Sequence, residues 1–185
     1  DTSITEYTLT VPNEIKKITI DAQVNDEKAK SEVGENASDL VVGENKIDIT
    51  VIAEDETIVK IYTITVIREK LELSTLKISY KDENGEIKEL LLTPDFKPDV
   101  LEYTLEDISY MIESLDIEAI TNSEKAEIEI VGNTELQTGE NIITIKLTIP
   151  SEEENVEDEV IIYTVKVNKE EEPIPPTLIG KIKNW

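Results

Sequence analysis

Polar and apolar residues alternate along most of this chain. Tyr7, Leu9 and Val11 interleave with Thr8 and Thr10, and Ile18, Ile20, Ala22 and Val24 interleave with polar residues. Ile47, Ile49 and Val51 repeat the pattern, as do Tyr62, Ile64 and Val66. A period of two places one set of side chains on one face of a strand. It predicts strands over residues 4–11, 18–24, 47–51 and 61–66. Residues 27–36, taken alone, pass for a short helix. Their counterpart at 124–133 has a clear period of two, so both segments are read as strands. Leu40 to Val42 is a further short strand before a turn. In the second half Leu73, Leu76 and Ile78 open a strand, and Asp82-Glu83-Asn84-Gly85 is a turn. Ile87 to Leu92 follows, then a loop punctuated by Pro94 and Pro98. No segment sustains an apolar period of 3.6 residues.

The pattern is written twice. Gly43-Glu44-Asn45 returns as Gly139-Glu140-Asn141, and Glu6-Tyr7-Thr8-Leu9 returns as Glu102-Tyr103-Thr104-Leu105, both at an offset of 96. Ile61-Tyr62-Thr63 returns as Ile162-Tyr163-Thr164 at an offset of 101. The five extra residues belong to the last hairpin, whose tip at 151–159 has six acids and no base. Glycine and asparagine bend the chain and β-branched residues then run outward, so each copy is a β-hairpin. Short strands separated by turn signals every ~8–12 residues predict an all-β chain of two tandem antiparallel immunoglobulin-like sandwiches. The first spans residues 1–69 and is incomplete at its N-terminal side; the second spans 70–169. Residues 170–185 form an acidic, proline-rich linker and a short extended tail.

Composition narrows what such a chain can do. Ile, Leu, Val and Phe make up about 31% of the 185 residues, well above the roughly 20% below which charged chains stay disordered. A net charge of −24 repels phosphates, which argues against nucleic acid or an anionic membrane as partner. There is no Cys and no His. Thiol nucleophiles, disulfides, imidazole bases and the common zinc ligands go with them. No apolar run approaches the ~20 residues that span a bilayer. The chain opens in mid-pattern at Asp1, as an excised piece of a longer protein does.

The order of signals carries a family resemblance. Leu73, Leu76 and Ile78 are followed by Pro94, Phe96 and Pro98, then by Glu102-Tyr103-Thr104. Gly139 and Asn141 come next, and Tyr163-Thr164-Val165 closes the unit. This order resembles the bacterial cadherin-like β-sandwich family. The likeness covers residues 71–169 in full and residues 1–69 without the opening strand and the Pro-x-Phe loop. The resemblance implies a non-catalytic spacer or adhesion module of a larger surface protein of a Gram-positive bacterium, outside the cell. Its partners would be other domains of that protein. A carbohydrate- or cell-wall-binding module accessory to a surface enzyme is the alternative, with polysaccharide as ligand.

The candidate site residues are few. The repeated tyrosines Tyr7/Tyr103 and Tyr62/Tyr163 lie in phase with inward Leu and Val, so they read as core residues that tie their hydroxyls to backbone. Phe96 reads the same way. Tyr80, Tyr110 and Trp185 remain as candidate ligand contacts. Among 42 Asp and Glu residues, no two are singled out as the carboxylate pair a glycosidase needs. Calcium needs six to eight oxygens, and the acids at 69–72 sit beside Arg68 and Lys70. No catalytic residue, cofactor or specific metal is assigned; only the acidic run 151–159 offers a loose cation site. Last, the first unit has five residues before Glu6 where the second spends 71–101. A missing strand leaves an open sheet edge, which proteins seldom leave uncovered. The tail Thr177–Lys183 can be extended, with Leu178 and Ile182 on one face. This predicts strand exchange, the tail pairing with the first unit of another copy.

Overall fold

The computed structural model describes residues 3–151 and 156–174. The chain divides into two compact units, Asp1–Leu71 and Glu72–Trp185. Both are built of strands, as the alternation requires.

In the second unit the strands are β5 (Leu73–Lys81), β6 (Ile87–Leu90), β7 (Glu102–Thr104), β8 (Asp116–Thr121), β9 (Glu127–Val131), β10 (Gly139–Ile149) and β11 (Glu159–Lys169). They form two sheets, ordered β7-β11-β10-β9 and β6-β5-β8. Leu76 and Ile78 point inward on one sheet, joined by Leu73 across a register shift between Leu73 and Thr75, and alternate residues Ile143, Ile145, Leu147, Tyr163, Val165 and Val167 do so on the other; all are buried. Each such side chain contributes about 1.5–3 kcal/mol on leaving water.

The first unit has β1 (Glu6–Val11), β2 (Lys30–Val33), β3 (Gly43–Ile52) and β4 (Val59–Arg68). They form one sheet, ordered β1-β4-β3-β2, which matches β7-β11-β10-β9 of the second unit strand for strand. The register matches as well. Gly43 faces Arg68 and Ile49 faces Tyr62, as Gly139 faces Lys169 and Ile145 faces Tyr163. β1 runs parallel to β4, and β7 runs parallel to β11. Among the described residues the first unit has no counterpart of the β6-β5-β8 sheet.

That difference overturns several expectations. By the offset of 96, β8 corresponds to residues 20–25, but the predicted strand at Ile18–Val24 forms no ladder. β8 is a strand because β5 pairs with it, and nothing equivalent to β5 stands beside 18–24. A period of two gives a chain its faces; only a neighbour gives it a ladder. Leu40 to Val42 is likewise not a strand, because the Val41 N–H and C=O are taken by the Asn45 side chain. Residues 27–36 hold only the short β2, followed by a 3-10 turn at Glu35–Ser38.

The core of the first unit is small and sits toward one end of its sheet. Val11, Leu40, Ile47 and Val66 are buried together, with Ile18, Ile20, Ala37 and Ile64 packed against them. Ile49 and its counterpart Ile145, 96 residues on, are 8% and 0% exposed. Tyr7 and Leu9 were expected to face inward, yet they stand 42% and 46% exposed, while their counterparts Tyr103 and Leu105 are 2% and 8% exposed. The layer that would cover them is the one the first unit lacks.

Candidate functional site

The two hairpins carry the same corner. Gly43 and Gly139 take φ of +95° and +90°, values that favour glycine because it has no Cβ. Two residues on, the asparagine folds back on the chain. The Asn45 Oδ1 accepts the Val41 N–H at 2.8 Å, and its Nδ2 donates to the carbonyls of Val41 at 2.8 Å and Gly43 at 3.0 Å. Asn141 repeats this with Gln137 and Gly139 at 2.7–2.9 Å. A buried cation sits opposite each glycine. Arg68 donates from Nη1 to the Leu40 carbonyl at 3.1 Å and from Nε to the Asn13 carbonyl at 2.6 Å. Lys169 donates to the Leu136 carbonyl at 2.9 Å. Leu40 and Leu136 are again 96 apart. Alternation alone does not mark this pair. Its signal was a basic residue two places after Val66 and after Val167.

The tyrosines separate the two units. In the second, the Tyr163 hydroxyl accepts the Leu73 N–H at 3.0 Å and donates to the Pro98 carbonyl at 2.7 Å, so it ties β11 to the other sheet and to the proline loop. Tyr103 does the same within that loop, accepting the Lys97 N–H at 3.1 Å and donating to the Lys97 carbonyl at 2.7 Å. Phe96 packs its ring 6.1 Å from that of Tyr103. Burial pushes both phenols up from their ordinary pKa; the hydrogen bond from Lys97 to Tyr103, and that from Leu73 to Tyr163, partly offset it. The expected core role thus holds for Tyr103 and Tyr163. Tyr7 and Tyr62 have no such loop to meet. Tyr62 instead lies half-buried under the Lys60 ammonium, 5.0 Å from the ring centre.

A cleft of about 600 Å³ opens in the first unit at this place. Tyr7, Ile49, Val51, Tyr62 and Ile64 line it from the sheet, and residues 21–26 with Ala29 line it from across. Its wall is mostly apolar, with Asp21, Asp26 and Lys60 also among its lining residues. The Ser31 hydroxyl donates to the Ala22 carbonyl at 2.7 Å.

Two of the candidate ligand residues lie in the second unit. Tyr80 is half-buried on β5 opposite Lys88, and Tyr110 is half-buried in the stretch after β7. Neither belongs to the Phe96–Tyr103 ring pair. Trp185, with the whole of the tail that was expected to exchange, lies outside the described residues, as do residues 152–155 of the acidic run. The turn at Asp82–Gly85 keeps its carboxylate for itself. The Asp82 Oδ1 accepts the N–H groups of Asn84 and Glu86, both at 2.9 Å, and the Glu86 bond is the main cause holding its pKa below the usual range. Among the described residues no three acidic side chains converge on a metal-sized site, and no helix is long and apolar enough to cross a membrane.

Comparison with known proteins agrees with this architecture. The family model of the cadherin-like beta sandwich domain matches residues 1–69. The family resemblance read from the motifs therefore stands for the first unit, where the motifs are fewer. Among solved structures, human protocadherin-24 EC1-2 is similar at 10% identity and a TM-score of 0.29, over 92% of this chain and 96% of that one. No curated protein matches the chain.

Proposed function

We propose that the chain is a non-catalytic spacer or adhesion module, a pair of cadherin-like sandwich units within a larger bacterial surface protein, working outside the cell. The observation that carries this reading is where the buried polar groups go. Asn45, Arg68 and Lys169 each donate to backbone carbonyls, as does the Tyr163 hydroxyl. Asn141 repeats the bonds of Asn45. These groups fix a scaffold, and fixing it twice serves length and presentation rather than chemistry. The absence of His and Cys from the sequence supports the same reading, since the usual general bases and nucleophiles are missing. Other domains of the same protein are its expected partners.

The test is binding of the whole chain to a glycan array and to isolated Gram-positive cell walls. The spacer reading expects no saturable binding to either. Saturable binding lost on Tyr80→Ala or Tyr110→Ala would replace it with a carbohydrate-binding module.

A further inference from the structure

The second unit holds, in its own β5, an occupant for the place that the first unit leaves as a cleft. β5 pairs antiparallel with β8, Leu73 opposite Thr121 and Ile78 opposite Ile117. It buries Leu73, Leu76 and Ile78, and its first N–H reaches the Tyr163 hydroxyl at 3.0 Å. The first unit keeps the receiving surface without the strand. Tyr62 stands for Tyr163, Ile64 for Val165, Ile49 for Ile145 and Val51 for Leu147. All four line the cleft. Residues 20–25 stand for β8 but form no ladder. Main-chain groups, an apolar trough and a phenol at one end are what an added β-strand uses: the ladder supplies affinity and alternate side chains supply selectivity.

We propose that this cleft is an acceptor site for an extended polypeptide strand from outside these 185 residues, one carrying the β5 pattern of apolar side chains at its first, fourth and sixth positions. The strand runs antiparallel to residues 20–25. Its first apolar residue lies opposite Asn25, its last lies opposite Asp21, and its leading N–H meets the Tyr62 hydroxyl. A second copy has no such strand to spare, because its β5 is buried in its own second unit. The tail reproduces the pattern only in part: Ile179 and Ile182 fill the first and fourth places, but the sixth is Asn184. This inference does not depend on the spacer role, since a scaffold of either kind can receive a strand.

The experiment uses the full chain and a fluorescein-labelled synthetic peptide of residues 70–82. Anisotropy should show saturable binding, and hydrogen exchange should slow at residues 20–25 on addition of peptide. A peptide carrying Leu76→Asp and Ile78→Asp should bind at least about tenfold more weakly, since both charges would enter an apolar wall. The chain variant Tyr62→Phe should bind the original peptide less tightly. Absence of saturable binding, equal binding of the Asp peptide, or protection that arises only in the second unit would each overturn the proposal. So would tighter binding of a peptide of residues 176–185, which would give the cleft to the tail. A chain that sediments as a dimer with residues 20–25 already protected would overturn it in favour of a second copy.

Discussion

The same four-stranded sheet exists twice in this chain, once with a second sheet over it and once without. The shared parts are those fixed by local sequence: the hairpin, its register, the glycine corner, the asparagine lock and the buried cation. The parts that differ are those needing the missing layer. Tyr163 and Tyr103 are sealed and hydrogen-bonded, whereas Tyr7 is 42% exposed and Tyr62 half-buried. A sheet can therefore be specified almost alone, while the burial of its inner face is conferred by what packs on it.

The largest test of that contrast is a cavity made at the centre of each hairpin. Ile145→Ala should cost about 2–5 kcal/mol, and Ile49→Ala should fall at or below the low end of that range, because its site opens on the cleft and can relax. Guanidinium unfolding followed by residue-resolved hydrogen exchange separates the two units. Equal costs would show that the faces are equally packed.

The asparagine lock should show the opposite behaviour. Asn45→Ala and Asn141→Ala each leave a backbone N–H and two carbonyls without their partner, at about 1–3 kcal/mol. Asn45 also donates to the Val66 carbonyl at 3.2 Å, so its loss should be at least as large. A markedly cheaper Asn45→Ala in the same exchange measurement would mean that the corner, too, depends on the second layer.

Removing single hydroxyls sharpens the comparison further. Tyr163→Phe strands the Leu73 N–H and the Pro98 carbonyl and should cost about 1–3 kcal/mol. Tyr62→Phe, with no strand to meet, should stay within about 0.5 kcal/mol in a thermal melt. Similar losses at both would point to a partner already seated on Tyr62.

The smallest effect is alkaline. Burial raises the folded-state pKa of Tyr103 and Tyr163 above the ordinary 10.0. The stability linked to keeping them neutral is intact below about pH 10 and lost as pH rises through the folded values. Melting of the second unit should therefore fall above about pH 10, and Tyr163→Phe should flatten that fall. A wild-type profile no steeper than the variant's would contradict the assignment.

Much of this was legible in the sequence for physical reasons that can be named. The register of both hairpins followed from Ile47, Ile49, Tyr62 and Ile64 and their repeats, because a slip of one residue would turn the whole set outward. The core role of Tyr103 and Tyr163 followed from phase. The fate of Tyr7 and Tyr62 did not, although the signal was present: the first unit has no Pro94-x-Phe96 loop whose backbone could meet a phenol. Residues 18–24 alternate as well as any strand here, yet pairing depends on a segment far away in sequence, which periodicity cannot see. The cleft lies where those two segments meet: Tyr7 and Tyr62 on the sheet and residues 21–24 across from them.

One arrangement bears on how the first unit would carry tension. β1 and β4, its first and last strands, lie side by side and parallel, with rungs from Glu6–Thr63 to Val11–Arg68. Pulling at the start of β1 and the end of β4 drags the two strands past each other along their length. The slanted, evenly spaced bonds of a parallel ladder are then loaded together in shear instead of being peeled one at a time. In the second unit the first and last strands, β5 and β11, belong to different sheets. The same pull there acts first on the contacts between layers, of which the Leu73–Tyr163 bond is one. The unit with the emptier core thus has the more direct mechanical clamp.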